Sequence, residues 1–278
     1  MSAQSTQPGT VSVVVATYNQ AQYLPACLDA LVFQDYPALE ILVVNDGCTD
    51  DTAAVIADWL RGFEHDEASY ASFYDAHRDA IERRTHPRYP RKGRTIRVID
   101  HGMNRGLAPA LNTGMRAATG EYVTYVPSDD VCFPGMIADL AAPLLANEAD
   151  FTYADMYIVD DAGRILRRFS LPDYSFERCF GDWYLCGVVK LYRRELHEAC
   201  GFYDETLLAH DHELFQRFAM YGARFHHVPK ALMAVRDHGR GRQVDIHAPS
   251  NWTRLLQESK ELTRQARDYL RRREAGQD

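Results

Sequence analysis

Short β-branched runs alternate with stretches of helically spaced apolar residues through the first half of the chain. Val11-Ser12-Val13-Val14-Val15-Ala16 is apolar along almost its whole length and ends at polar residues, the pattern of a strand buried on both faces of a parallel sheet. From Gln20 to Phe33, the residues Tyr23, Leu24, Cys27, Leu28, Leu31 and Val32 recur at helical spacing, and Glu40 to Val44 gives a second buried strand, completing a βαβ unit. A helix from Asp51 toward Leu60, a strand from Thr95 to Ile99, a helix from Ala108 to Ala118 and a strand from Tyr122 to Val126 continue the alternation. Such an order predicts a doubly wound α/β sheet that binds ligands at the carboxyl ends of its strands.

The second half reads differently. Phe151 to Val159 and Arg164 to Phe169 form a predicted hairpin turned by Asp160-Asp161-Ala162-Gly163, followed by mixed short elements. No linker or internal repeat separates the halves, so both are expected to share one sheet. Arg61 to Arg94 is too long for an ordinary connection. Its Tyr70, Phe73, Tyr74, His77 and Ile81 fall on one face of an expected helix. After it, residues 83–94 hold six Arg or Lys and no acid, either a solvated loop or a docking place for an anionic acceptor or lipid headgroup. Asn251 to Glu274 reads as a C-terminal helix with Leu255, Leu262, Ala266 and Tyr269 on one stripe, expected to pack on the body or on a second subunit in a homodimer. The resulting division is a single domain over residues 1–250, with a nucleotide-binding half over 11–130, an acceptor half over 131–250 and an insertion over 61–94, followed by the helix over 251–278.

Composition narrows the class. The 278 residues are 46% hydrophobic and 25% charged, with 39 acids against 31 Lys plus Arg, for a formal charge of −8. A general attraction to nucleic acid is therefore not expected. No apolar run approaches the roughly 20 residues that span a bilayer, and the first ten residues lack the features of a signal peptide, which points to a cytoplasmic protein. The six cysteines include no C-x-x-C pair, which suits reduced thiols.

The chemistry-bearing residues follow the strands. Ala16-Thr17-Tyr18-Asn19 comes after the first strand, and Asn45-Asp46-Gly47-Cys48-Thr49-Asp50 after the second, so both can face one ligand. Asp46 can accept a hydrogen bond from the N–H of a uracil or thymine, or it can shape a turn and cap. Asn104-Arg105 at the start of the third helix sets a cation beside backbone N–H groups, a place for a pyrophosphate. Asp129-Asp130, after Ser128, form a carboxylate pair of the kind that holds Mg²⁺ or Mn²⁺ against substrate phosphates, or a pair of capping acids. Asp211 precedes an apolar helical face at Leu214, Phe215 and Phe218, as cap or general base. Arg236, Arg240 and Arg242 lie in a Gly-rich loop that can close over a diphosphate, with His238 placed to join the metal shell. Tyr174, Phe176, Trp183 and Tyr184 are either stacking surfaces for a sugar acceptor or core.

In order along the chain, Thr17-x-Asn19, Asn45-Asp46-Gly47-x-Thr49-Asp50, Asn104-x-Gly106, Asn112-x-Gly114, Gly120-Glu121-Tyr122, Asp129-Asp130 and Gly201-Phe202-x-Asp204-Glu205 resemble glycosyltransferase family 2 over Val11 to Arg242. The resemblance implies a Rossmann-like glycosyltransferase-A fold, a single α/β domain with a mixed, mostly parallel sheet. It implies an inverting, metal-dependent transferase of the hexosyl or N-acetylhexosaminyl class, passing one sugar from a nucleoside-diphosphate sugar, UDP favoured over dTDP or GDP, to a hydroxyl on a glycan, glycolipid or small molecule. Ala16, Thr17, Tyr18, Asn19, Asp46, Asn104, Arg105, Ser128 and Asp129 would bind the donor, Asp130 and His238 the metal, Trp183, Tyr184 and His210 the acceptor. Asp211 would be the base. Ser128 and His210 depart from the acids many members carry, and the Gln-x-x-Arg-Trp signature of processive synthases is absent. A nucleotidyltransferase is disfavoured because no Gly-rich loop follows the first strand, and a noncatalytic nucleotide-sugar-binding scaffold is the other reading.

Overall fold

The computed structural model describes residues 7–182, 184–237 and 249–276. The elements run β1 (Gln7–Thr17), α1 (Leu24–Val32), β2 (Leu39–Asn45), α2 (Thr52–His65), β3 (Glu67–Asp75), β4 (Ala80–Pro87), β5 (Arg94–Asp100), α3 (Leu107–Ala117), β6 (Gly120–Tyr125), β7 (Val131–Cys132), α4 (Met136–Leu145), β8 (Phe151–Val159), β9 (Ile165–Phe169), a π-helical turn (Glu177–Asp182), β10 (Lys190–Arg193), α5 (Glu195–Cys200), α6 (His210–Tyr221), β11 (Phe225–Arg236) and α7 (Pro249–Glu274). Nine strands share one sheet in the order β5-β2-β1-β6-β10-β8-β11-β7, with β9 on β8. Strands β5, β2, β1 and β6 pair in parallel, and β10 inserts antiparallel between β6 and β8. The sheet is thus mixed and mostly parallel, and the two halves of the chain meet across β10.

Burial follows the apolar pattern. Val11, Val13, Val14 and Val15 of β1 are fully enclosed, as a central strand covered on both faces requires. Helix α3 lies close on β1 because Gly114 leaves room for it: a Cβ there would stand 2.3 Å from a Val14 methyl. Helix α7 packs as its stripe predicts, with Leu262 and Ala266 buried and Tyr269 against Phe176. Its Glu258 reaches the start of α6, accepting from Leu208 N at 2.7 Å and Ala209 N at 2.9 Å.

The insertion corrects the sequence reading. Where a helix is expected over Tyr70, Phe73, Tyr74, His77 and Ile81, the chain forms the antiparallel hairpin β3–β4, with Tyr74 opposite Ile81 and Phe73 opposite Glu82. Asp75 reverses it by accepting from His77 N at 2.9 Å and Arg78 N at 3.3 Å, and Asp79 takes a left-handed conformation. This local side-chain capture of the backbone outweighs a three-to-four spacing that no cap supports. The basic stretch is also partly committed. Arg94 donates to the carbonyls of Val32, Gln34 and Tyr36, closing the end of α1, and Arg91 donates to Phe63 O.

Candidate active site

A cleft of about 1100 Å³ opens at the carboxyl edge of the sheet, between the ends of β1, β2 and β6, the starts of α3 and α6, and the end of β11. It brings together Ala16, Thr17, Tyr18, Asn19, Asp46, Asn104, Arg105, Ser128, Asp129, Asp130, His210, Asp211 and Arg236. Tyr184 does not line it. Trp183, His238, Arg240 and Arg242 lie outside the described residues.

Asn19 binds the first two loops together. Its Oδ1 accepts from Thr49 N at 2.8 Å and Asp50 N at 3.3 Å, with its own backbone left-handed. Gly47 passes so close to the next loop that a Cβ would stand 2.2 Å from the Met103 carbonyl carbon. Beside it, the buried Asp46 carboxylate accepts from Arg105 N and Gly106 N, both at 2.9 Å, and meets His101 Nδ1 at 2.8 Å. His101 is in turn held by Thr113 Oγ1 at 2.9 Å. Asp46 therefore ties β2 to the start of α3, the turn-and-cap alternative, with part of its acceptor capacity left for a ligand. The N–H groups of Arg105 and Gly106 are thus taken by Asp46, while the exposed Asn104 and Arg105 both line the cleft.

Asp130 is 3% exposed and accepts from Arg236 N at 2.8 Å. Burial pushes its carboxyl well above the usual carboxylate range, the neighbouring Asp129 charge adds to this, and Arg236 opposes it. Among the described residues no cluster of three His, Cys, Asp or Glu could hold a metal. Asp129 and Asp130 nevertheless supply two hard oxygen ligands, which fits Mg²⁺ or Mn²⁺, ions that fill their remaining positions with water and substrate phosphate. Arg236, expected to meet a diphosphate, lines the cleft and donates to the carbonyls of Asp129, at 3.1 Å, and Asp161, at 3.3 Å, with its guanidinium over the Tyr23 ring. It clamps the β8–β9 turn against the carboxylate pair.

Asp211, which also lines the cleft, sits in the first turn of α6, its side chain 17% exposed. Its Oδ2 accepts from the Tyr125 hydroxyl and lies 3.4 Å from Lys190 Nζ, while His210 Nε2 is 3.7 Å from Oδ1. Neither Lys190 nor Tyr125 is recognised from sequence. The signal was a single lysine in the apolar run Val188-Val189-Lys190-Leu191-Tyr192. The Asn112 and Asp204-Glu205 motifs also meet: Asn112 Oδ1 accepts from Tyr203 N at 3.0 Å, and its Nδ2 donates to Glu205 Oε1 at 2.8 Å. Among the described aromatic candidates for the acceptor, Tyr174, Phe176 and Tyr184 pack against the core. Tyr184 stacks on His212 at 5.3 Å, Tyr174 on Phe225 at 4.8 Å, and Phe176 packs on Phe180 and Tyr269.

The chain is similar to known glycosyltransferases. The glycosyltransferase GlyA of Streptococcus pneumoniae is 26% identical over 242 residues, covering 81% of this chain and 30% of that protein. The uncharacterized glycosyltransferase EpsJ of Bacillus subtilis is 29% identical over 212 residues, covering 71% and 52%. The chain thus spans only a part, about a third to three-fifths, of the length of the curated relatives it matches. Among solved structures, S. aureus TarS 1-349 in complex with UDP-GlcNAc superposes with a TM-score of 0.63 at 22% identity, over 85% of this chain and 60% of that one. The mannosyltransferase PcManGT from Pyrobaculum calidifontis, in complex with GDP-Man and Mn²⁺, gives 0.59 at 20%, over 90% and 64%. These likenesses establish the glycosyltransferase-A fold. The Glycosyl transferase family 2 model matches residues 12–70 and 75–201, well over half of the chain, and the protein belongs to that family.

Proposed function

We propose that the chain is an inverting, metal-assisted glycosyltransferase that moves one sugar from a nucleoside-diphosphate sugar, with UDP as the favoured nucleotide, to a hydroxyl acceptor in glycan assembly. The observation that carries this reading is the placement of Asp211 and the Asp129-Asp130 pair on walls of one cleft, with Asp46 and Asn19 framing its nucleotide end. A UDP-GlcNAc complex and a GDP-Man and Mn²⁺ complex among the structural neighbours support a nucleotide-sugar donor and a divalent cation.

Asp130, with Asp129 beside it, would hold Mn²⁺ or Mg²⁺, which supplies neutralisation of the charge that develops on the departing diphosphate. The loops at Thr17 to Asn19 and at Asp46 would enclose the nucleobase and ribose, and Arg105 would offer its charge to the phosphates. Asp211 would accept the acceptor hydroxyl proton as that oxygen bonds the anomeric carbon from the face opposite the leaving group, which inverts the configuration. Residues 11–130 would form the nucleotide half and 131–250 the acceptor half of one catalytic unit.

Release of nucleoside diphosphate from UDP-sugars in Asp211→Asn tests the reading. Asp211 stands past the N-cap Ala209 in the first turn, where Asn keeps its shape without the charge, so donor binding is expected to persist while turnover falls by about a hundredfold or more. Near wild-type turnover would remove Asp211 from the chemistry.

A further inference from the structure

Lys190 is a fully buried cation that neither the motifs nor the proposed mechanism uses. None of its side chain is exposed, and its Nζ lies 3.4 Å from Asp211 Oδ2, 3.9 Å from the centre of the Tyr125 ring and 4.9 Å from that of Phe215. Tyr125, itself buried, donates its hydroxyl to the same carboxylate oxygen. Its neighbours Val188, Val189, Leu191 and Tyr192 show that the position sits among apolar packing, where burying an ammonium costs several kcal/mol unless an anion compensates it. Strand β10 places Lys190 there by its antiparallel register, opposite Tyr153 of β8, while its other neighbour β6 ends at Tyr125. Two donors from adjacent strands thus converge on one oxygen of a carboxylate carried by a third element, α6.

We propose that Lys190 is the positioning residue for acceptor activation: its ammonium, together with the Tyr125 hydroxyl, anchors Oδ2 of Asp211, fixing the carboxylate's orientation and keeping it ionised between turnovers. The inference rests on Asp211 being the base. In transfer, the acceptor O–H proton passes to Asp211 as the acceptor oxygen bonds the anomeric carbon. The carbon–oxygen bond to the diphosphate breaks with its electron pair leaving on phosphate, and Asp211 then returns its proton to water. A cation 3.4 Å away opposes premature protonation, so the carboxylate remains a base as the medium turns acidic. Among the described residues, the titratable groups that also face Asp211 include Tyr125 from β6, His210 beside it on α6, and Tyr184, Tyr192 and Tyr203, whose phenols burial and the Asp211 charge hold neutral. Lys190 brings a positive charge to this shell, 3.4 Å from Oδ2.

The test is the pH profile of kcat for hydrolysis of whichever UDP-sugar the wild-type chain consumes fastest, at saturating donor and Mn²⁺, in wild type, Lys190→Met and Asp211→Asn. Lys190→Met keeps the length of the side chain and removes its charge. It is expected to lower kcat at pH 6.5 by about tenfold or more, to leave KM for donor within about twofold, and to move the acidic limb up by about one pH unit or more. A purely structural lysine would lower the melting temperature and leave the acidic limb in place, which overturns the proposal. If Lys190→Met does not fold, the wild-type profile decides: an acidic limb below about pH 4, the ordinary aspartate value, is expected, and one at or above it overturns the inference. Asp211→Asn separates the two readings. If it turns over at near wild-type rate, the base assignment has failed; if it is inactive while the acidic limb of Lys190→Met is unmoved, only the role of Lys190 has failed.

Discussion

Replacing Asp46 by Asn should cost stability and donor affinity together, because the same carboxylate holds the nucleotide end of the cleft and the start of α3. The structure gives it three partners, Arg105 N and Gly106 N at 2.9 Å and His101 Nδ1 at 2.8 Å, all within a buried setting. Hydrogen bonds to a charged acceptor contribute about 1.5–3 kcal/mol each, and a buried N–H left without a partner costs a similar amount. Asn keeps one acceptor oxygen and turns an NH₂ toward groups that were donating, so at least one backbone N–H loses its partner, for a net loss of about 3 kcal/mol. In a chain of this size that lowers the melting temperature by about 6–12 °C. Urea unfolding followed by far-UV circular dichroism gives the stability, and calorimetric titration of UDP with Mn²⁺ gives the affinity. Should Asp46→Asn match wild-type stability within about 0.5 kcal/mol while losing UDP, the three contacts contribute nothing to the fold and Asp46 serves the ligand alone.

Other outcomes follow from single contacts. Gly114→Ala should destabilise by about 1–3 kcal/mol because its Cβ would stand 2.3 Å from a Val14 methyl, and Val14→Ala in the same chain should recover part of the loss in a denaturation cycle. His197 is held neutral, its value pushed down to about 4 by burial and by Arg217, Arg194 and Arg116, so the unfolded chain takes its proton first. Its contribution is present above about pH 6.5 and is lost as pH falls toward 4, up to about 3 kcal/mol; His197→Gln should flatten that slope in urea titrations at pH 7.5 and 5, and an unchanged slope would refute it. Asp130 has the opposite sign. Raised by burial and Asp129, its carboxyl favours the folded chain in its protonated form, and that stability is lost as pH rises through the raised value. Asp130→Asn should therefore raise the melting temperature of the metal-free chain at pH 7.5, and a lower one would contradict the account.

The strand and helix alternation from β1 to β6 is legible because parallel strands buried on both faces leave continuous β-branched runs that no surface element imitates. The carboxylates at strand ends are legible for the same reason: the sheet's polarity says where its site must lie. What escapes is whatever a second segment decides. The hairpin β3–β4 depends on Asp75 capturing two backbone N–H groups, a contact that outweighs helical spacing. Arg236 looks like a phosphate ligand until the β8–β9 turn supplies it with carbonyls. Lys190 is one basic residue in an apolar run until β10 is inserted beside β6 and brings it under Asp211. Asp46 is read from its place after a strand as a nucleobase ligand or a turn and cap, and only the fold shows that its partners come from residues 101 to 106.

The central claim is that this cleft binds a nucleoside diphosphate through a divalent cation held by Asp130. Calorimetric titration of UDP into wild type and Asp130→Asn, each with Mn²⁺ and with EDTA, tests it most directly. Wild type should bind UDP at least about tenfold more tightly with Mn²⁺ than with EDTA, a difference of about 1.4 kcal/mol, and Asp130→Asn should erase that difference. Equal affinity under both conditions in wild type, or a Mn²⁺ effect that survives Asp130→Asn, would contradict it.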